Sequence, residues 1–562
     1  MTKKLNFVPQ KTDFEHPLHT MTLGQLLDIN IAQYPDNYAV MYADRDYYLT
    51  WKEFGEQVDR FAKGMMGLGV KKGEKVAIWA TNVPHWVTLM FATAKIGAIL
   101  VTVNTNYKIA EIEYLLKQSE TENLFLIDGF RDTDYVNTIY ELVPELRTQP
   151  RDYFKSERLP FLKRVVFLGP QKHRGMYSVA ELESMAIAVT DEEYEARQAS
   201  LDCHDVVNMQ YTSGTTGFPK GVMLTHYNIA NDGNWIGRNQ NLGPNDRVLL
   251  PVPLFHCFGC VLGVMACMNN HSTMGFLERY DAVTTMMSIE KIKATACYGV
   301  PTMYIGMLQH PLFEKFDFSS LRTGIMAGSP CPVKTMEEVM DKMNMKEITI
   351  CYGLTECSPV ISQTTWDEKD VYIRTSTVGR AMPAVEVKTI NPETGEECAV
   401  GEHGEVCCRG YLVMKGYYKM PEATAEAIDK DGWMHSGDIG MLDKDGYLHI
   451  TGRLKDMIIR GGENVYPKEI EDFIHHMEGV EDVQVVGVPS KKYGEQVGAY
   501  IRLEKNALDI TEDDVKDFCR GKIAWHKIPK FIAFVPEFPL TASGKIKKYE
   551  LRKDAAQRWP EA

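Results

Sequence analysis

From about Leu23 to about Met340, apolar helical stretches alternate with short β-branched runs, among them Lys75–Trp79, Ile99–Val103, Leu124–Ile127, Arg164–Leu168 and Arg247–Pro251. Strands that alternate with helices connect in parallel, so the pattern predicts an α/β body of doubly wound sheets with helices on both faces. The most apolar stretch, Trp86 to Val103, is interrupted by Lys95 and Gly97 and reads as a buried helix followed by a buried strand. Between Ala384 and His449 the character changes. Short strands there are broken by Asn391-Pro392, Thr394-Gly395, Lys430-Asp431-Gly432 and Lys444-Asp445-Gly446, which predicts an antiparallel or β-barrel-like subdomain at 384–449. A further break falls at Gly452-Arg453-Leu454-Lys455-Asp456. Beyond it the spacing predicts a small α+β domain of roughly 100 residues, an ordinary domain size. It has helices around Lys468–Met477 and Thr511–Lys522 and strands at Asp482–Val488 and Gly498–Leu503.

Composition narrows the function classes. The 562 residues carry 62 Lys+Arg and 76 Asp+Glu, a net charge of −14, which argues against nucleic acid as a partner. No segment reaches the roughly 18 unbroken apolar residues of a membrane span, so no integral membrane contact is expected and the cytoplasm is the default compartment. Twelve cysteines in a chain of this length do not make a disulfide scaffold. Cys257 and Cys260 form a C-x-x-C near His256 and His271, but no second pair follows at zinc-site spacing, and the aromatic and apolar flanks predict buried thiols. Cys407-Cys408 sits in a strand-like run and reads the same way.

The chemistry is densest between Tyr211 and Gly221. Three glycines, four hydroxyl residues (Thr212, Ser213, Thr215, Thr216) and Lys220 fall within eleven residues there. Glycines such as Gly214 and Gly217 let backbone N–H groups turn inward, and hydroxyls and a lysine add donors and charge, the makings of a polyphosphate cradle. The pattern is not the P-loop G-x-x-x-x-G-K-(S/T). Val222-Met223-Leu224 reads as a strand, so the cradle runs strand–loop–strand without a helix dipole, and a mere flexible linker does not suit its apolar flanks.

At this loop the chain resembles the adenylate-forming superfamily of acyl-CoA synthetases, luciferases and adenylation domains. The likeness runs from about Thr22 to about Arg552 with the motifs in family order, and it is similar above all to medium-chain acyl-CoA synthetases of the acyl-CoA synthetase family member two type. Tyr352-Gly353-Leu354-Thr355-Glu356 matches the aromatic-Gly-x-Thr-Glu motif. The resemblance implies that Tyr352 and Gly353 line adenine, Thr355 contacts the α-phosphate and Glu356 holds Mg²⁺ through oxygen. Gly328-Ser329-Pro330 resembles the adenine-lining turn, and Ser436-Gly437-Asp438 matches (S/T)-G-D, which makes Asp438 the ribose anchor. Arg453 of the G-R pair is implied as a second ribose or phosphate contact. Lys455 stands at the family's hinge, which implies a body at 1–453, a hinge at 454–457 and a mobile domain at 458–562. Gly461-Gly462 would swing in to line the pantetheine channel of coenzyme A. Pro539-Leu540-Thr541-Ala542-Ser543-Gly544-Lys545 matches P-x-T-x-x-G-K, which makes Lys545 the mobile catalytic lysine.

The implied reaction joins a small-molecule carboxylic acid, ATP and coenzyme A into acyl-CoA, AMP and pyrophosphate through an acyl-adenylate. Family likeness places the acid around Trp235, Phe255-His256-Cys257-Phe258-Gly259, Tyr298-Gly299-Val300-Pro301 and Gly353. These residues are mostly aromatic or apolar, as an apolar acid requires. Amino-acid-activating relatives carry an Asp near the position of His256. Its absence here argues against an amino acid, and His256 reads either as a pocket wall and gate or as a packed histidine. A medium-chain fatty acid is the expected substrate, with aromatic or alicyclic acids, the ATP-forming direction, carrier-protein loading and luciferase-like oxidation as alternatives. The sequence leaves the oligomeric state open.

Overall fold

The protein is represented by a computed structural model that describes residues 18–212, 219–329, 331–460, 463–504, 507, 509–541 and 545–560. Two large sheets form the body. The nine-stranded sheet runs, in spatial order, from Arg380–Ala381 through Val360–Gln363, Glu347–Gly353, Thr323–Met326, Ala296–Gly299, Arg247–Leu250, Thr273–Phe276 and Tyr38–Tyr42 to Tyr47–Thr50. Its inner pairings are parallel and its outermost ones antiparallel. The eight-stranded sheet is parallel around Ile99–Thr102, Lys75–Trp79, Asn123–Leu126 and Arg164–Phe167, and antiparallel at one end only.

Alternate residues of each strand face different cores. Val76 and Ile78 belong to the layer between the sheets, whereas Ala77 and Trp79 belong to an outer layer. Val248 and Leu250 face the same inner layer, and Leu249 faces away. With both faces covered by helices, strands become continuous apolar runs, which is why they are legible as β-branched segments. The helix Pro84–Ile96 starts on a proline and stops at Gly97, whose φ of 70° is the left-handed end that glycine adopts without strain. Every residue from Trp86 to Ile96 is buried, Lys95 included, and its ammonium pairs with Asp28 at 2.7 Å and Asp59 at 2.9 Å.

The β-rich segment is an antiparallel sheet of four strands, Val385–Ile390, Gly404–Gly410, Met434–Leu442 and Leu448–Arg453. A short turn, Leu454–Asp456, leads out of it into a separate five-stranded sheet that begins at Ile458–Arg460 and centres on Val480–Ser490 and Gly494–Leu503. This C-terminal unit buries apolar clusters of its own, among them Ile470, Ile474, Val485, Val497 and Ile501. Its helix Glu512–Cys519 opens on a capping box in which Thr511 and Asp514 satisfy each other's backbone N–H groups. Among the described residues no helix is long and apolar enough to cross a membrane. Cys257, Cys260, Cys407 and Cys408 are free and buried, as expected.

Candidate active site

The hydroxyl-rich loop hangs from two antiparallel strands, Val206–Thr212 and Lys220–Thr225, with Thr212 directly opposite Lys220. This is the strand–loop–strand arrangement read from the sequence. Ser213, Gly214, Thr215, Thr216 and Gly217 of the loop itself lie outside the described residues, as do Pro330, Gly461 and Gly462. Lys220 Nζ lies 4.7 Å above the ring of Tyr417, a cation–π contact that holds the ammonium at the mouth of the hairpin.

The parallel strand Glu347–Gly353 ends beside this hairpin, at the carboxyl edge where open α/β sheets bind ligands. Gly353 closes the strand so tightly that a Cβ would lie 1.8 Å from the Pro359 carbonyl oxygen, so no other residue fits. Thr355 and Glu356 follow in one tight turn, Thr355–Cys357. The Glu356 carboxylate is 9% exposed, and its Oε1 accepts from the Tyr417 hydroxyl at 2.9 Å and the Thr212 hydroxyl at 3.4 Å. Tyr417 arrives on the edge strand Gly416–Tyr417, opposite Val222. Sequence reading passes over it, because an aromatic next to a glycine carries no motif.

A second carboxylate closes the other side. Asp438 Oδ2 accepts from the Tyr352 hydroxyl at 2.8 Å, and Oδ1 lies 3.3 Å from Arg453 Nε, directly across the ladder. Burial pushes the Asp438 carboxyl up, and the Arg453 charge and Tyr352 hydroxyl oppose that shift. Tyr352→Phe removes one charge-assisted bond worth about 1.5–3 kcal/mol. It is therefore expected to raise the KM for ATP roughly tenfold or more with kcat less affected. An unchanged KM in steady-state assays would detach Asp438 from nucleotide binding.

Lys545 reaches this cluster from the C-terminal unit. A Cβ placed on Gly328 would meet Val300 Cγ1 at 3.2 Å and Lys545 Cε at 3.6 Å, so the bare glycine, at a φ of 89°, makes room for the lysine stem. Ser329 continues that turn. The Lys545 N–H donates to the Thr541 hydroxyl at 3.0 Å. Burial lowers the Lys545 ammonium, and the field of Asp438 and Glu356 works in the opposite direction. Lys455 is exposed in the connecting turn Leu454–Asp456, and its carbonyl accepts from Arg552 at 3.3 Å.

On the acid side, His256 Nδ1 accepts the Phe258 N–H at 3.2 Å and stands 3.5 Å from the Cys257 thiol, which in turn lies 3.5 Å from the Thr355 hydroxyl. Burial, with the Lys545 charge adding to it, pushes the imidazole down to about 3. His256 is therefore neutral at physiological pH, with Nε2 carrying its proton. The unfolded chain binds that proton near 6.5 and the folded one only near 3, so the contribution to stability is full above 6.5 and is lost as pH falls toward 3. In thermal melts, the wild-type Tm should fall more steeply than that of His256→Gln as pH drops from about 7 to about 5. Around this histidine, Phe258 and Tyr298 have ring centroids 6.2 Å apart, and the Tyr298 hydroxyl accepts from the Gln240 amide at 2.7 Å. Trp235 and Val300 are buried with them.

A family model for AMP-binding enzymes matches residues 27–418, and a model for the AMP-binding enzyme C-terminal domain matches residues 469–545. The chain belongs to the AMP-binding enzyme family. Among relatives of this AMP-binding enzyme, YngI of Bacillus subtilis (strain 168), which carries an acyl-CoA synthetase name, is 51% identical over 95% of the chain and 96% of its own length. The mitochondrial medium-chain acyl-CoA ligase ACSF2 of Bos taurus is 40% identical over 96% of the chain and 88% of its own length. The crystal structure of ATP-bound MatB from Rhodopseudomonas palustris superposes with a TM-score of 0.81 at 28% identity, covering 95% of this chain and 99% of that one. The resemblance carried by the motifs therefore holds, including its acyl-CoA synthetase branch. This AMP-binding enzyme is an adenylate-forming acid–thiol ligase of the acyl-CoA synthetase class that uses ATP.

Proposed function

We propose that the protein activates an apolar monocarboxylic acid, a medium-chain fatty acid first among them, as its coenzyme A thioester. The observation that carries this reading is the meeting of Lys545, from the C-terminal unit, with Gly328 of the body in the electrostatic field of Asp438 and Glu356. Asp438, braced by Tyr352 and Arg453, is suited to accept both ribose hydroxyls. Thr212 and Lys220, at the ends of the hydroxyl-rich segment, would face the β- and γ-phosphates, Gly328 and Ser329 would border the adenine, and Thr355 would donate toward the α-phosphate; the sequence assigns Ser213–Gly217 and Pro330 to the same two roles.

In the first step a carboxylate oxygen attacks the α-phosphorus and pyrophosphate leaves. The barrier is the approach of one anion to another, and Lys545 lowers it by sitting between the carboxylate and the α-phosphate. The neutral His256 presents a donor at the acid side without adding charge. The Glu356 carboxylate, with one oxygen held by two hydroxyls, is a hard oxygen donor that fits Mg²⁺. When bound there, Mg²⁺ neutralises phosphate charge. In the second step the thiol of coenzyme A displaces AMP. A thiol of pKa near 8.5 is already a few per cent ionised at neutral pH, so no dedicated base is required. A pivot at Lys455, between a body at 1–453 and a domain at 458–562, would withdraw Lys545 and bring Gly461-Gly462 to the thiol channel. A cytosolic setting fits the twelve free cysteines, which a reducing compartment preserves.

The buried aromatic lining, in which the Tyr298 hydroxyl is already satisfied by Gln240, supports an acid without a polar tail. AMP release by purified protein with ATP and Mg²⁺, across acids from acetate to palmitate with benzoate and cyclohexanecarboxylate, tests this reading. Coenzyme A-dependent release peaking on medium-chain acids is expected. A peak on the ring acids would reassign the substrate, and pyrophosphate exchange indifferent to coenzyme A would move the protein to carrier loading or oxidation.

A further inference from the structure

Beside the Ser436-Gly437-Asp438 stretch of Met434–Leu442, where the ladder register shifts, one face of the four-stranded sheet gathers a sulfur, a nitrogen and an oxygen donor. Glu405 and Cys407 stand two residues apart on Gly404–Gly410, so their side chains leave the same face. His435, on the neighbouring strand, is the direct ladder partner of Cys407. His435 Nδ1 lies 3.0 Å from Glu405 Oε2 and 3.6 Å from Cys407 Sγ, and the three donor atoms all fall within 4.8 Å of one another. Ligand atoms around a tetrahedral zinc, with bonds of about 2.0–2.3 Å, sit about 3.3–3.8 Å apart, so little movement is needed to close them on one ion.

Neighbouring groups fix the orientation of the Glu405 carboxylate and draw the nearest lysine aside. On the far side of the ring, His435 Nε2 lies 3.8 Å from Asp429 Oδ2, beyond hydrogen-bond reach but near enough for the carboxylate to favour a cation in the cluster. Glu405 Oε1 is occupied by the Gly437 N–H at 3.0 Å, which leaves Oε2 turned toward His435. Lys388, across the ladder from Cys407, extends over the Trp433 ring at 4.2 Å and reaches Glu397 at 3.3 Å.

We propose that Glu405, Cys407 and His435 bind a borderline divalent transition metal, zinc being the best match, which ties two strands together next to Asp438. A thiolate in the donor set selects zinc-like ions over Mg²⁺ or Ca²⁺. On binding, the Cys407 thiol gives its proton to the buffer; sulfur, Nδ1 and carboxylate oxygen donate to the ion, water completes the shell, and no electron is transferred.

Titration of the metal-stripped, full-length protein with Co²⁺, followed by absorption, tests this. One Co²⁺ per chain is expected, with a near-ultraviolet thiolate-to-cobalt band that Zn²⁺ removes. Cys407→Ser should abolish the band, and His435→Gln should weaken binding at least about tenfold. Absence of the band in the wild type, or its survival in Cys407→Ser, overturns the site. The His435 side chain is 29% exposed and tolerates substitution, so unchanged Co²⁺ affinity in His435→Gln overturns it equally, even where the cysteine variant fails to fold. The readout uses neither acid nor coenzyme A, so its failure leaves the synthetase reading standing.

Discussion

Lys545→Ala is expected to slow acyl-adenylate formation at least about 100-fold while leaving thioester formation from supplied acyl-AMP far less affected. The lysine belongs to the C-terminal unit, yet its stem lies against Gly328 and its charge is felt by His256, Asp438 and Glu356. Without it, the acid and the α-phosphate face each other with their repulsion unrelieved. A preorganised donor of this kind is worth about 3–4 kcal/mol in a transition state, which is where the hundredfold comes from. Pyrophosphate exchange reads the first half-reaction and single-turnover coenzyme A capture reads the second. Equal losses in both would remove Lys545 from its assigned place.

The second large effect is expected from Glu356→Gln. The amide keeps the volume of the side chain and can still accept the Tyr417 hydroxyl that now lies 2.9 Å from Oε1. What disappears is the negative charge beside the phosphate hairpin. Adenylation should fall at least about 100-fold, with more Mg²⁺ needed for half-maximal rate, because a neutral amide is a poor ligand for a hard dication. The Tm should move by no more than a few degrees, since both hydroxyl partners remain satisfied. AMP formation across a Mg²⁺ series, beside a thermal melt, separates the outcomes. A fall in activity matched by a large loss of Tm would make Glu356 a structural residue.

Much of this site is legible in the chain because its chemistry is local. The two apolar strands that flank the glycine- and hydroxyl-rich segment are found as a hairpin, and the strand Glu347–Gly353 runs into Thr355-Glu356 at the sheet's carboxyl edge. The helix cap at Thr511 is equally local, since its partner Asp514 is three residues away. Other parts have no local signal. The Tyr417 hydroxyl acts on a carboxylate 61 residues distant, and the Cys257 thiol meets a hydroxyl 98 residues distant. The segment Phe258–Met265 adopts a wide π-helical path with every residue buried, so its hydrophobicity shows no periodicity from which to read its geometry.

The sequence by itself determined the parallel body, the antiparallel subdomain, the small C-terminal domain and the family motifs. Each of these depends on residues close together in the chain, on strand and helix periods, turn residues and fixed spacings. Only the tertiary structure decided which motifs share one cleft, that Tyr352 braces Asp438, that His256 is neutral, and that Cys407, His435 and Glu405 converge on one sheet face. Those outcomes depend on distances and desolvation set by packing between distant segments, and a linear order of residues carries no measure of either.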